Sequence, residues 1–244
     1  MTALSALMVA LLAQTATSED DSAIMTDEEV SKNESPRNMY LEFKLGPYFP
    51  LIDRDPTLTS KPYESTFGNG PMLLGEIEFD YQFFTKLGSI AAGFSIGYSE
   101  KYGHALDPTT GEVSSVSTSL QIVPMQLLAV YRFDYLAEKF SVPLVPYLKG
   151  GVVMIPWWAS KGGEVEVSNG FYGAGVRWGL AAIFGLALQL DFLEPRLARD
   201  LDSSTGINHS YLFAEFHLAE VNDFGQRVLD LSSRHWMFGL AIEF

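Results

Sequence analysis

From position 39 to the end of the chain, hydrophobic and polar residues alternate with a period of two. In segment 39–49, Leu41 and Phe43 alternate with Glu42 and Lys44. Alternation of this length predicts a β-strand with one apolar and one polar face. The same pattern recurs in seven further segments, which are 73–83, 89–98, 123–135, 143–158, 171–193, 210–220 and 235–244.

The segment 171–193 decides the predicted number of strands. It could turn near Ala181 and Ala182, but no Asn, Asp or Pro marks a turn there. Its large apolar residues also stay on even positions from Tyr172 to Phe192. We therefore predict one long strand here and eight strands in all, an even number as in single-chain bacterial barrels.

The predicted fold is all-β, an eight-stranded antiparallel up-and-down transmembrane β-barrel. An even number of strands puts both chain ends on one side, which we predict to be the periplasm. Connectors 85–88, 136–142 and 194–208 then lie inside, and loops 50–71, 101–118, 159–169 and 221–233 lie outside. Aromatic residues are predicted to form girdles at both interfaces, with Phe49, Tyr98, Trp158, Tyr172 and Trp236 outside and Phe83, Phe133, Tyr135, Phe192 and Phe244 on the periplasmic side.

A soluble eight-stranded barrel of the lipocalin type is the alternative, with its apolar face inside. Two features of the sequence favour the membrane barrel. The charged face is interleaved with glycine, alanine and serine, which suits a narrow interior. The apolar face carries more large side chains than one small lumen could enclose.

The segment before the first strand is predicted to contain an export signal and a tail. Residues 3–13 are an apolar run, too short to span a bilayer and of the right length for a signal-peptide core. No Lys or Arg precedes the run, so a buried apolar end is the alternative. We predict a signal peptide at 1–18, a flexible acidic periplasmic tail at 19–38 and the barrel at 39–244.

Composition excludes several classes of function. The net charge of −14 argues against nucleic-acid binding, because no basic surface is present to neutralise phosphates. The chain has no cysteine, which excludes disulfides, thiolate metal sites and a lipid-anchored cysteine. We predict no cofactor and no metal site. The expected partner is outer-membrane lipid, and the expected state is a monomer.

The residues predicted to face the lumen include many charges. The simplest interpretation is a network of salt bridges, because a charge in a tight interior needs a partner. The alternative is a narrow pore in which clustered acidic residues favour cations. The predicted lumen charge network is Glu42, Lys44, Glu76, Glu78, Asp80, Arg132, Asp134, Lys149, Arg177, Asp191, Glu215 and His217.

An outer-membrane hydrolase is the enzymatic alternative. Asn208, His209, Ser210, Glu215 and His217 supply the residue types of a catalytic triad. However, His209 and Ser210 are adjacent and would point to opposite faces of a strand. We therefore predict no enzymatic activity.

Four blocks of the chain are fairly specific, namely YRFDYLAEKF at 131–140, PLVPYLKGG at 143–151, LQLDFLEPRLARDLD at 188–202 and GINHSYLFAEF at 206–216. They resemble an uncharacterised outer-membrane β-barrel family known mostly from myxobacteria, with eight-stranded barrels like OmpA, OmpX and OmpW. The resemblance implies the fold and a location in the bacterial outer membrane, and it implies no activity.

The last strand resembles the signal that outer-membrane proteins present to the barrel assembly machinery. Its alternating apolar residues are Trp236, Phe238, Leu240, Ile242 and Phe244. Together, these features predict an outer-membrane barrel with a structural or surface-contact role and a polar, salt-bridged interior. A small pore for ions or small apolar solutes is the alternative.

Overall fold

A computed structural model of the chain describes residues 38–54, 58, 60–85, 88–105, 112–140, 142–168, 171–191, 204–226 and 229–244. The predicted signal peptide, nearly all of the predicted tail and most of the predicted connector 194–208 lie outside these residues. No helix in the described part of the chain is both long enough and apolar enough to cross a membrane.

The described residues include twelve strands and two short α-helices. The strands of the main sheet are β1 (Met39–Tyr48), β2 (Met72–Phe84), β3 (Ser89–Gly103), β4 (Thr118–Ile122), β5 (Met125–Arg132), β6 (Leu144–Lys161), β10 (Ala174–Gln189), β11 (His209–Val221) and β12 (Ser233–Glu243). The shorter elements are β7 (Glu164–Val165), β8 (Val167–Ser168), β9 (Phe171–Tyr172), α1 (Pro62–Phe67), α2 (Tyr135–Phe140) and a 3-10 turn at Ile52–Arg54.

The main sheet closes on itself as a barrel of eight antiparallel strands. Strand β1 pairs with both β2 and β12, and β6 pairs with β10, so that no edge of the ring stays open. Strands β4 and β5 both pair with β3 and with β6, and they act as one barrel strand interrupted at Pro124. Proline interrupts a ladder because it has no N–H to donate. The predicted fold is confirmed.

The exterior of the barrel is apolar on every strand. Large apolar side chains that are at least 40% exposed occur all round it, for example Phe43, Ile77, Phe94, Leu127, Leu148, Phe184, Leu212 and Phe238. A continuous apolar ring of this kind is stable in hydrocarbon and not in water. The soluble barrel is therefore the wrong alternative, and the apolar faces were assigned correctly.

Several predicted boundaries were wrong. Strand β5 ends at Arg132, so Phe133 and Tyr135 do not belong to a strand and α2 follows instead. Strand β10 runs without a break through Ala181, as predicted, but it begins at Ala174, because Phe171–Tyr172 pairs locally with β8.

Two strands extend further into the predicted outer loops than expected. Strand β3 continues to Gly103 and β6 to Lys161, because both pair with β4 in that region. Alternation weakens there, so the sequence alone placed both ends too early.

Candidate functional site

The lumen is the part of the barrel in which charged chemistry is concentrated, and its inward-facing residues form three layers. We call the end that carries the loop 49–71 the loop end, and the other the terminal end. Along β2 the inward residues run from Met72 and Leu74 at the loop end, through Glu76 and Glu78, to Asp80. The apolar cluster lies towards the loop end and consists of Tyr48, Met72, Leu74, Leu120, Ile122, Val153, Ile155, Ala181, Val221, Leu231 and Met237.

The middle layer, which we call the ion-pair layer, consists of buried charges. Its members are each at most 4% exposed and are Glu42, Lys44, Glu76, Glu78, Asp80, Arg132, Lys149 and Glu215. All eight belong to the predicted lumen network. Towards the terminal end, the aromatic cluster follows, which consists of Tyr40, Val145, Tyr147, Ala187, Tyr211, Phe213 and Ala241.

Two lysines link strands across the lumen. Lys44 on β1 donates to Glu78 Oε2 on β2 at 2.6 Å and to Glu215 Oε1 on β11 at 2.8 Å. Lys149 on β6 donates to Glu42 Oε2 on β1 at 2.6 Å and to Glu78 Oε1 at 2.7 Å. Each ammonium group therefore connects strands that are not neighbours in the sheet.

The guanidinium of Arg132 completes the links. It donates to Glu42 Oε1 at 2.7 Å and also to the carboxylate of Asp80. Its central carbon lies 4.0 Å from the ring centroid of Tyr40, a cation–π contact that covers one face of the guanidinium.

Small residues on β3 make room for these side chains. A Cβ atom at Gly97 would lie 2.6 Å from Cγ of Glu76, and a Cβ at Gly93 would collide with the carboxylate of Asp80. The glycines on the polar face are therefore needed for close approach, which agrees with the narrow interior inferred from the sequence.

Two histidines border the ion-pair layer. His217 Nε2 lies 2.7 Å from Glu215 Oε1, and the His217 ring stacks on His235 with centroids 4.9 Å apart. His235 Nδ1 lies 2.9 Å from Ser233 Oγ. Both rings are buried. His217 was expected in the lumen network, and His235 was not.

Three predicted members of the network lie apart from the ion-pair layer. Asp134 follows the end of β5, and Arg177 contacts Asp223 at 3.3 Å near the loop end. Asp191 contacts His209 near the terminal end. Burial disfavours ionisation of Asp191, but hydrogen bonds from His209 and Gln189 outweigh it and lower the pKa of this carboxyl.

The sequence analysis missed several buried polar residues. Tyr211 donates to Glu243 Oε2 at 2.8 Å, and Gln82 Nε2 donates to Glu243 Oε1 at 2.9 Å. Tyr147 donates to Glu215 Oε2 at 3.0 Å. Their positions alternate in step with the charged residues of the same strands. That signal was present, but the aromatic rings were not assigned to the lumen.

The segment after β1 packs over the loop-end side of the apolar cluster. Ile52, Tyr63 and Phe67 are partly buried against it. The Asp53 carboxylate accepts hydrogen bonds from the backbone N–H groups of Tyr63 and Glu64, which fixes the first turn of α1. The interior is therefore polar only in part, because its loop-end portion is apolar.

The candidate catalytic residues are divided between two places. His209 contacts Asp191, whereas Glu215 and His217 lie in or beside the ion-pair layer. Carboxylate oxygens of Glu42, Glu78 and Asp80 lie within 4.8 Å of one another, as metal ligands can. Each of these three carboxylates instead accepts a hydrogen bond from Lys44, Lys149 or Arg132.

The last strand places its alternating residues on the exterior. Trp236, Phe238 and Leu240 are more than half exposed, and Ile242 and Phe244 are partly buried. The backbone of Phe244 exchanges hydrogen bonds with Met39, which joins the last strand to the first.

Several solved structures are similar to this chain at low sequence identity. OprG, an outer-membrane protein of Pseudomonas aeruginosa, is 11% identical with a TM-score of 0.52, covering 86% of this chain and 97% of its own. Neisserial surface protein A is 14% identical, with a TM-score of 0.44 over 84% and 97% of the two chains. Ail, the attachment invasion locus protein of Yersinia pestis, is 11% identical, with a TM-score of 0.41 over 86% and 99%.

No family model matches the chain, and no curated protein matches it either. The similarity to OprG therefore supports the fold alone. A closed eight-stranded barrel with an apolar exterior is a membrane barrel of the outer-membrane type. The protein is accordingly an outer-membrane β-barrel, in contact with membrane lipid.

Proposed function

We propose that this protein is a non-conducting barrel of the outer membrane, with a structural or surface-contact role carried by its outer loops. We also propose that it has no enzymatic activity and is a monomer. The predicted membership of the myxobacterial-type family remains part of this proposal. The observation that supports a non-conducting barrel is the ion-pair layer, in which Lys44, Arg132 and Lys149 connect β1, β2, β5, β6 and β11 across the lumen.

The ion-pair layer favours a closed lumen for a physical reason. The interior of an eight-stranded barrel is just wide enough to be filled by side chains. An ion entering this one would have to separate buried pairs such as Lys149–Glu78, and separating a buried pair leaves two unpaired charges. The apolar cluster adds a second barrier, because a hydrated ion cannot shed its water there cheaply.

Conductance of the purified protein in planar bilayers tests this proposal. We expect no steady openings from the folded protein, with insertion checked by its heat-modifiable band on an unboiled gel. Steady cation-selective openings would contradict a closed barrel and support the small pore. A pore for small apolar solutes is tested separately, by measuring whether such solutes enter vesicles that contain the protein.

The surface-contact role requires the loop end to face the outside of the cell. Because the chain has no cysteine, single cysteines report orientation without background. Val165→Cys, on β7 and exposed, should react with an impermeant thiol reagent on intact cells. The control Lys139→Cys, on α2 at the terminal end and exposed, should react only after permeabilisation. The reverse pattern would exclude outer loops at this end.

We also propose that the last strand carries the signal read by the barrel assembly machinery. The backbone of Phe244 bonds to Met39 and so helps to close the barrel, and Phe244 lies at the terminal end. Deleting Phe244 should lower the amount of folded barrel in the membrane, whereas deleting the acidic segment 19–33 should not. Equal assembly of both deletions would contradict the proposed signal.

A further inference from the structure

The ion-pair layer contains five carboxylates and three permanent cations. Four of the carboxylates accept a hydrogen bond from a lysine or from Arg132. Glu76 is different, because the nearest such nitrogen described is Lys44 Nζ at 3.9 Å. Lys44 already donates at shorter distances to Glu78 and Glu215. Glu76 is thus the carboxylate of this layer that is least compensated.

The amide that contacts Glu76 and the residue opposite that amide each carry a buried oxygen atom without a hydrogen-bond partner. The side-chain amide of Gln126, which is 4% exposed, lies with Nε2 at 3.3 and 3.4 Å from the two carboxylate oxygens, and its Oε1 has no hydrogen-bond partner. Ser95 pairs with Gln126 across β3 and β5, is fully buried, and has an unpartnered Oγ. Turning the amide by 180° would place Oε1 against Glu76, because the two ends of an amide exchange positions.

A buried carboxylate without a cation is costly, since its charge is removed from water without compensation. A proton or a small cation removes this cost. Carboxylate, amide and hydroxyl oxygens are also the ligands that hard cations prefer. We propose that Glu76, with Gln126 and Ser95, binds one small monovalent cation in the lumen, either a proton or an alkali ion. The site does not depend on whether the lumen conducts.

Other titratable groups face Glu76 and have to be separated from it in the test. They are Lys44 and Tyr48 from β1, Glu78 from β2, and Glu215 and His217 from β11, with His235 of β12 stacked on His217. All of them remain in the variant Glu76→Gln. The difference between the parent and this variant therefore isolates the contribution of Glu76.

The experiment measures urea unfolding of the full chain in lipid vesicles under two series of conditions. In the first, pH is raised from about 5 to about 9 in choline chloride. This range includes the ordinary pKa of histidine, so any titration of the neighbouring histidines occurs in the parent and in the variant alike. In the second, Na⁺ or K⁺ replaces choline at constant pH and ionic strength. For a proton bound only by the folded protein, the folding equilibrium constant should fall by up to about tenfold per pH unit. For a bound alkali ion, it should rise with the concentration of that ion.

Three variants show whether a response of the parent comes from Glu76. Glu76→Gln should lose most of whichever response the parent has, and the exposed control Glu164→Gln should keep it. Gln126→Met, which removes the amide, should weaken an alkali-ion response or shift the pH range of a pH response, because Glu76 loses the amide group that contacts its carboxylate. If the parent responds to neither series, or Glu76→Gln responds as the parent does, the proposal is overturned. Should Glu76→Gln fail to fold, an unchanged response of Gln126→Met overturns it.

Discussion

The apolar cluster and the ion-pair layer lie one above the other in the same lumen, and several strands contribute to both. Strand β2 supplies Leu74 to the apolar cluster and Glu78 to the ion-pair layer, four positions further along the same face. The apolar cluster is stabilised by the exclusion of water, which has no preferred direction. The ion-pair layer is stable only if each charge meets its partner.

This difference teaches where the interior tolerates change. An apolar side chain can be replaced by another of similar volume with modest loss, because its neighbours repack. A lysine bonded to two carboxylates cannot, because its removal takes one hydrogen-bonded cation from each of two buried carboxylates. The ion-pair layer should therefore be the more sensitive of the two regions to a substitution that keeps the volume of the side chain, and the following tests examine the two regions.

The largest effect is expected from Lys149→Met, which keeps the length of the side chain and removes its charge. Glu42 and Glu78 would each lose a hydrogen-bonded cation, so the free energy of unfolding should fall by about 3–5 kcal/mol. Urea unfolding in lipid vesicles, followed by tryptophan fluorescence, measures this. Lys161→Met, at the exposed end of the same strand, is the control, with an expected change within about 0.5 kcal/mol. Equal losses of unfolding free energy in Lys149→Met and Lys161→Met would contradict the greater sensitivity of the ion-pair layer.

Leu74→Ala examines the apolar cluster. Leu74 is 1% exposed, and truncating it leaves a cavity, so we expect a loss of about 2–5 kcal/mol in the same unfolding measurement. The neighbouring Leu73 is 69% exposed on the lipid side, and Leu73→Ala should cost less. If Leu73→Ala proved the more damaging, the assignment of inner and outer faces on β2 would be wrong.

Phe184→Arg examines the boundary that encloses both regions. Phe184 is 55% exposed on the exterior of β10. An arginine facing the bilayer centre costs about 2–4 kcal/mol in a barrel, and this cost falls to about 0–1 kcal/mol near the interface. Tyr172→Arg, beyond the start of β10, should therefore cost little. Similar folding yields of the two variants in vesicles would argue against a lipid-facing surface at Phe184.

The smallest effect is expected from Arg54→Gln at the loop end. Arg54 contacts Glu220 and Asp230 at 3.0 Å, but its side chain is 41% exposed, so that water and salt screen both pairs. The free energy of unfolding should change by about 0–1 kcal/mol, and less at high salt. A loss as large as that of Lys149→Met would mean that burial does not distinguish the two sets of ion pairs.

The candidate site could be predicted from sequence as a set of inward-facing charges. Glu42, Lys44 and Glu78 follow from alternation alone, and Lys149 was placed inside because its charge resolved an ambiguous strand. Asp134 was predicted on a strand but follows the end of β5, because alternation continues into residues that have already left the sheet at Arg132. Pairing partners such as Lys44 and Glu215, which are 171 positions apart, could not be assigned, because alternation contains no information about which strands face each other.

The sequence by itself determined the strands, their even number and the two faces, because these depend on a local period of two and on the length of each run. The tertiary structure decided which charges meet, that the nearest cation to Glu76 among the described residues is Lys44 at 3.9 Å, and where the lumen changes from apolar to charged. Those features depend on the closure of β1 against β12 and on the register of every pair, from Leu45 opposite Phe238 to Lys149 opposite Ile183. Closure and register are long-range properties, and they bring together side chains that the chain itself keeps far apart.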